Sequence, residues 1–294
     1  MTTPFVTHRS LVNTWECDQM GHMNVQFYVE KNCDALAHFA AHVGIPPALV
    51  REGGRGLVVR EDHIEFKREV RAGEALAIRT RVIEVGDAEM RLYNEMIALG
   101  SGRVSASFDM LVASVDLASR ESYPLSEKVR ARAAALVDQE AAPTAAFASF
   151  RPESVPEGLF ETYRGVVHAS ECDAVGRMMP RFHIARFSDA AGHLFCALDT
   201  TPTEMRENGW GTAALDYRTR YLRPPTAGDV LVVETGVLEI RGKTLRFCHC
   251  LLDAATGATA ATIEIVSVLF DLEKRKSIPL PDAIRAKAAT LMIS

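Results

Sequence analysis

Cationic excess is missing from this chain: 33 Lys and Arg stand against 38 Asp and Glu, a formal net charge of -5. Binding a phosphate backbone relies on concentrated Lys and Arg, so no nucleic-acid partner is expected. Cysteine pairs of the CxxC type are missing too. Cys17, Cys33, Cys172, Cys196, Cys248 and Cys250 show no such spacing, and reduced thiols are expected rather than a disulfide framework. Cys248 and Cys250 stand two apart, which puts both on one side of a strand as small apolar residues. No uncharged apolar run reaches about 18 residues. The start, MTTPFVTHRS, lacks the apolar core of a signal peptide. Neither a membrane partner nor export is therefore expected, and the reading is a cytoplasmic protein that carries no cofactor and no metal.

The chain does contain a repeat. Glu16-Cys17-Asp18-Gln19-Met20-Gly21-His22-Met23-Asn24 and Glu171-Cys172-Asp173-Ala174-Val175-Gly176-Arg177-Met178-Met179 are two versions of one segment. Asp18 and Asp173 are 155 positions apart, as are Asp34 and Asp189, His38 and His193, Gly73 and Gly228, and Pro124 and Pro279. A register that never slips is hard to obtain by chance, because loops absorb insertions first. The unit is domain-sized, far beyond the period of roughly 20 to 50 residues found in solenoids. With 294 residues, 48% of them hydrophobic, each half can bury its own core. The expected division is a domain over 1–137, a linker rich in Ala, Pro, Ser and Glu over 138–158, and a second domain over 159–294.

Each half has the same order of elements. A short strand over 5–15 leads into the motif. Phe27, Tyr28, Cys33, Ala35, Leu36, Phe39, Ala40 and Val43 then mark a helix buried on much of its circumference, closed by Gly44 and Pro46-Pro47. Strand patterns follow over 55–66, 74–85, 90–99 and 104–117, cut by turn pairs such as Ala72-Gly73, Gly86-Asp87 and Gly100-Ser101. A short amphipathic helix over 126–137 begins at Ser126, a suitable N-cap. The second half repeats this with helices over 180–198 and 281–292 and strands over 212–221, 229–240, 244–253 and 259–271. The fold class is α+β, with an antiparallel sheet wrapped on one helix in each half. Exposed sheet edges make a homo-oligomer of the fused pair plausible.

The string Trp15-x-x-Asp18-x-x-Gly21-His22-Met23-Asn24, continuing to Tyr28 and Asp34, resembles the hotdog-fold acyl-CoA thioesterases of the 4-hydroxybenzoyl-CoA thioesterase type. Arg220-Tyr221-Leu222-Arg223-Pro224 with Gly228-Asp229 is similar to that family's second-strand signature, and 67–74 is a weaker version. The resemblance covers nearly the whole chain as two fused hotdog units. It implies hydrolysis of an acyl-CoA thioester, with Asp18 as general base or nucleophile and the Val25 backbone amide as oxyanion donor. His22 and Asn24 would be its polar helpers. Related hotdog enzymes of another subgroup place their carboxylate elsewhere, which makes Glu61, with repeat partner Asp216, a second candidate base. The same string also resembles thioesterases that release carnitine-like or betaine-like acids, where an aromatic face such as that of Trp15, Tyr28 or Trp210 would hold a quaternary ammonium. Rival readings are an acyl-carrier-protein thioesterase and a non-catalytic acyl-thioester binding protein.

Elementary chemistry supports the same place. A helix N-terminus offers unpaired N–H groups and partial positive charge to an oxygen that turns negative during acyl transfer. Thioester hydrolysis needs only that donor and a positioned base or nucleophile. Each residue also has a plainer role: Asp18 or Asn24 as a helix cap, Gly21 as a turn, His22 as the partner of a local carbonyl, Glu61 as a strand residue paired with Arg60 or Lys67. Arg68, Arg71, Arg218, Arg220 and Arg223 lie near the strand signatures without an assigned role toward the phosphates of coenzyme A.

The two copies differ where the chemistry would occur. His22 becomes Arg177, Asn24 becomes Met179 and Tyr28 becomes His183. A guanidinium beside Asp173 should pair with it and weaken it as a nucleophile. One active site is expected, around Asp18.

Overall fold

Turn chemistry decides where the strands of each half stop, and the two halves stop at corresponding places. The structure, a computed structural model, describes residues 5–117, 119, 121–138 and 156–293. It divides into two compact units, Met1–Phe147 and Ala148–Ser294. Most of the expected linker, 139–155, lies outside the described residues.

In the first unit β1 (Phe5–Leu11) leads through a single 3-10 turn (Thr14–Glu16) and a loop to α1 (Val25–Val43). Then come α2 (Pro47–Gly53), β2 (Arg55–Phe66), β3 (Ala75–Val85), β4 (Glu89–Ala98), β5 (Arg103–Asp116) and α3 (Glu127–Ala134). The five strands form an antiparallel sheet in the order β1-β3-β4-β5-β2. Alternate residues of β3, namely Leu76, Ile78, Thr80 and Val82, are buried, as period 2 requires of a sheet with one covered face. Helix α1 buries Ala35, Leu36, Phe39 and Val43 and ends at Gly44, whose φ of 108° suits a residue without Cβ.

The second unit repeats this as β6 (Phe160–Val166), a 3-10 turn (Ala169–Glu171), α4 (Pro180–Ala197), α5 (Pro202–Asn208), β7 (Trp210–Tyr221), β8 (Val230–Arg241), β9 (Thr244–Asp253), β10 (Thr259–Asp271), β11 (Lys276–Ile278) and α6 (Asp282–Thr290). Its sheet order, β6-β8-β9-β10-β7 with β11 on β10, matches the first. Each unit is therefore a hotdog layer, and the offset of 155 extends to individual contacts. Arg91 pairs with Asp109 at 2.6 Å, and Arg246 pairs with Glu264 at 2.7 Å. Thr7 meets Thr80 at 2.8 Å, and Thr162 meets Thr235 at 2.6 Å.

Three elements differ from the sequence expectation. Helices α2 and α5 were not expected, and α2 forms where Pro46-Pro47 suggested only a chain break; Pro47 and Pro202 occupy the first helical turn, where a missing N–H costs nothing. Strand β11 adds a three-residue hairpin to β10. All six cysteines are unpaired. Cys248 and Cys250 are both buried, and burial raises their thiol pKa values, that of Cys250 to about 12.

Candidate active site

The loop between the 3-10 turn and α1 is fixed at its root by a buried ion pair. Lys31 Nζ donates to Glu16 Oε1 at 2.8 Å, with both side chains more than nine-tenths buried. Glu16 Oε2 accepts the Asn13 amide at 2.8 Å, and the Glu16 carbonyl accepts the Asn24 amide at 2.8 Å. One carboxylate thus ties the entrance of the loop to the second turn of α1. The second unit repeats the device with Arg186 on Glu171 at 2.6 Å. Sequence reasoning missed this pair, although its signal was present: the acid is retained at the offset of 155 and the base stays cationic.

Within the loop Cys17 bridges to Met23 as in a short antiparallel ladder. The Asp18 amide donates to the His22 carbonyl at 2.8 Å, and Gly21, with φ of 76°, donates to the Asp18 carbonyl at 3.0 Å. Gly21 therefore serves the turn, and no heavy atom lies within 4 Å of where its Cβ would be. Asp18 Oδ1 accepts the amides of Met20 at 2.8 Å and His22 at 3.4 Å. Its Oδ2 accepts no hydrogen bond among the described residues, and the side chain is exposed. Asp18 is thus the organiser of the turn. The helix cap is Asn24, whose Oδ1 accepts the Gln26 amide at 3.1 Å. Val25 is the first helical residue, and its amide is beyond the reach of the helix's own carbonyls.

The His22 imidazole meets the neighbouring loop. Its Nε2 lies 3.0 Å from Glu69 Oε2 and 2.9 Å from Arg71 Nη2, both on the loop between β2 and β3. That loop is stitched on by a bridge between His22 and Arg71 and by the Met23 amide donating to the Val70 carbonyl at 2.9 Å. Tyr28, in the second turn of α1, is buried with its ring edge-on to Phe66. Burial pushes its phenol well above the ordinary range, a hydrogen bond with the Val70 main chain opposes this, and the carboxylates of Glu69, Glu74 and Asp18 add to it. Glu61 is half-buried on β2, next to a bulge between Val59 and Glu61. Trp15 is 74% exposed on the 3-10 turn. Structure therefore brings Asp18, His22, Asn24 and Val25 into one loop and helix start, with Glu69 and Arg71 as neighbours that the motif did not reveal.

The second copy keeps the backbone and changes its chemistry. Asp173 Oδ1 accepts the amides of Val175 and Arg177, both at 3.0 Å. Oδ2, however, is gripped by Arg177 through Nη2 at 2.6 Å and Nε at 3.0 Å. Met179 stands at the cap position without a side-chain bond, and the residue after it is Pro180. Proline has no N–H, so the equivalent of the Val25 donor does not exist. Subtraction of 155 would have found Pro180 in the sequence alone. His183, opposite Tyr221, is buried, which lowers its pKa to about 4.

Among the described residues no cluster of three or more His, Cys, Asp or Glu is arranged to hold a metal, and no helix is long and apolar enough to cross a membrane. Each unit is a hotdog layer that presents a carboxylate loop at the start of its helix. The chain belongs to the thioesterase-like superfamily, whose sequence profile matches residues 12–133 and 167–288. It is similar to a betainyl-CoA thioesterase of Pseudomonas aeruginosa, 25% identical over 159 residues that cover 54% of this chain and 94% of that one. Among solved structures it is similar to one from Lactobacillus plantarum provisionally designated an oleoyl thioesterase, with TM-score 0.71, 13% identity, and coverage of 95% of this chain and 99% of that one. An acyl-ACP thioesterase of Bacteroides thetaiotaomicron gives TM-score 0.66 at 14% identity, covering 88% and 96%.

Proposed function

We propose that the chain hydrolyses an acyl-CoA thioester to free acid and coenzyme A at the Asp18 loop of the first unit. The observation that carries this reading is the contrast between the copies. Asp18 keeps Oδ2 unclaimed and is followed by a helix whose first residue has an amide. Asp173 is held by Arg177 and is followed by Pro180.

In this mechanism the thioester carbonyl oxygen lies against the Val25 amide. Asp18 removes a proton from water as the water oxygen bonds to the carbonyl carbon, and the developing oxyanion is held by the amide and the positive end of α1. The tetrahedral carbon then expels the thiolate, which recovers the proton as the C–S bond breaks. Direct attack by Asp18 uses the same geometry through an acyl anhydride that water cleaves. Asn24 acts by capping α1 and keeping its first turn in place, and Glu61 is not needed in either route. We read 1–137 and 159–294 as the two domains joined by 138–158, acting in the cytoplasm and forming a further homo-oligomer.

The relative's betainyl-CoA substrate and the exposed indole of Trp15 at the mouth of the loop support a small acyl group that carries a quaternary ammonium. A panel of betainyl-CoA and straight-chain acyl-CoAs, followed by release of free thiol and mass detection of free acid, tests the reading. Thiol release from at least one CoA ester is expected. Binding without any release would make the chain an acyl-thioester binding protein, and release from acyl-carrier-protein esters alone would overturn the CoA assignment.

A further inference from the structure

Both copies have the same backbone bridge beside the carboxylate loop, His22 with Arg71 in the first and Arg177 with Thr226 in the second. Each bridge carries one arginine, but on opposite sides. In the second copy the arginine belongs to the loop itself and turns onto Asp173 Oδ2. In the first copy it belongs to the neighbouring loop, and its Nη2 lies 2.9 Å from His22 Nε2. Glu69 Oε2 is 3.0 Å from that same nitrogen. The position equivalent to Glu69 in the second copy is Pro224, so the carboxylate is present only where the arginine must be kept away.

We propose that Glu69 and His22 are positioning residues which hold the Arg71 guanidinium off Asp18, and that this keeps the Asp18 carboxylate reactive. The inference rests on the hydrolase reading for its consequence, although its geometry does not depend on it. One imidazole nitrogen cannot accept from Arg71 and donate to Glu69 in the same tautomer. In either tautomer the two charges meet at one ring nitrogen, and Glu69 offsets the charge of Arg71. Glu74 Oε1 is occupied by the Arg71 amide at 2.8 Å, and without Glu69 the guanidinium turns to Asp18, whose main chain is paired with that of His22. The arginine then takes up the arrangement seen on Asp173, where an ion pair lowers the basicity of the carboxylate.

A role confined to packing predicts that a second substitution adds to the damage of the first, whereas this proposal predicts rescue. Glu69→Gln should lower kcat about tenfold with KM within about twofold. Glu69→Gln with Arg71→Met should recover most of that loss, because the competing cation is gone. A double variant as slow as Glu69→Gln, or slower, overturns the proposal. So does a rise in KM at unchanged kcat, which would make Arg71 a phosphate-binding residue. A crystal structure of Glu69→Gln gives a reading without turnover: Arg71 on Asp18 Oδ2 supports the proposal, and Arg71 still on His22 contradicts it. If the wild-type chain cleaves no acyl-CoA, the hydrolase reading fails while this structural test still decides the inference.

Discussion

Val25 and Pro180 hold the same position, the first residue of the buried helix in each copy, and only Val25 has an amide hydrogen to donate. With the Arg177 grip on Asp173, this leaves the second loop short of a free carboxylate oxygen and an oxyanion donor. Restoring it should need both. In an Asp18→Asn background, Arg177→His with Met179→Asn should remain inactive, and adding Pro180→Val should give measurable thiol release. Activity in the two-residue variant would show that the proline is immaterial. Rates of free-thiol formation check this.

The Lys31–Glu16 pair supplies a stability prediction. Lys31→Met leaves a carboxylate buried without its cation, and breaking such a pair costs about 3 to 5 kcal/mol. Lys31→Arg should cost about 1 kcal/mol or less, since Arg186 performs the same task in the second copy. Denaturant unfolding of both variants gives the comparison, and equal losses would contradict it.

Gly21 tests the turn separately from the chemistry. Gly21→Ala should cost about 1 kcal/mol through backbone strain, because nothing obstructs the added methyl. Gly21→Asn should cost less, as asparagine tolerates positive φ. Thermal unfolding that ranks Ala above Asn would count against this account of the turn.

Legibility in the sequence varied by range. The repeat, the order of strands and the buried helix could be read because each depends on local periodicity and turn pairs, and Ala72-Gly73 and Gly100-Ser101 separate strands as expected. The short helices α2 and α5 were hidden because Pro47 and Pro202 act locally as starts, a distinction that the Thr201 and Glu204 capping box signalled for α5. Asp18, Asn24 and Val25 were legible as a motif, but their division of labour was not. That Asn24 caps the helix while Asp18 builds the turn depends on which amides face each oxygen. The pairing of Glu69 and Arg71 with His22 could not be read, since they meet it across more than 40 residues of sequence.

The interior of the second unit should respond to acid. Thr162 meets Thr235 and Thr235 meets His249 Nδ1, each at 2.6 Å, in a buried polar chain. His249 Nε2 is buried with no hydrogen-bond partner among the described residues. Burial lowers the His249 pKa to about 3 and that of His183 to about 4, from an ordinary 6.5. The unfolded chain thus binds protons that the folded chain refuses, so stability is complete above about pH 6.5 and is lost as pH falls toward 4. The unfolding midpoint should drop between pH 7 and pH 5, and the drop should shrink in His249→Asn and in His183→Tyr, which install the residues of the first copy. An unchanged drop in both variants would place the acid sensitivity elsewhere.

Asp18→Asn is the most direct test of the account. The amide keeps an oxygen for the Met20 and His22 N–H groups, so the turn should survive and the unfolding midpoint should stay near that of the wild type. Measured with the best acyl-CoA of the panel, kcat should fall by about 100-fold or more. A folded Asp18→Asn protein that releases thiol at close to the wild-type rate would contradict the central claim that this carboxylate carries the reaction.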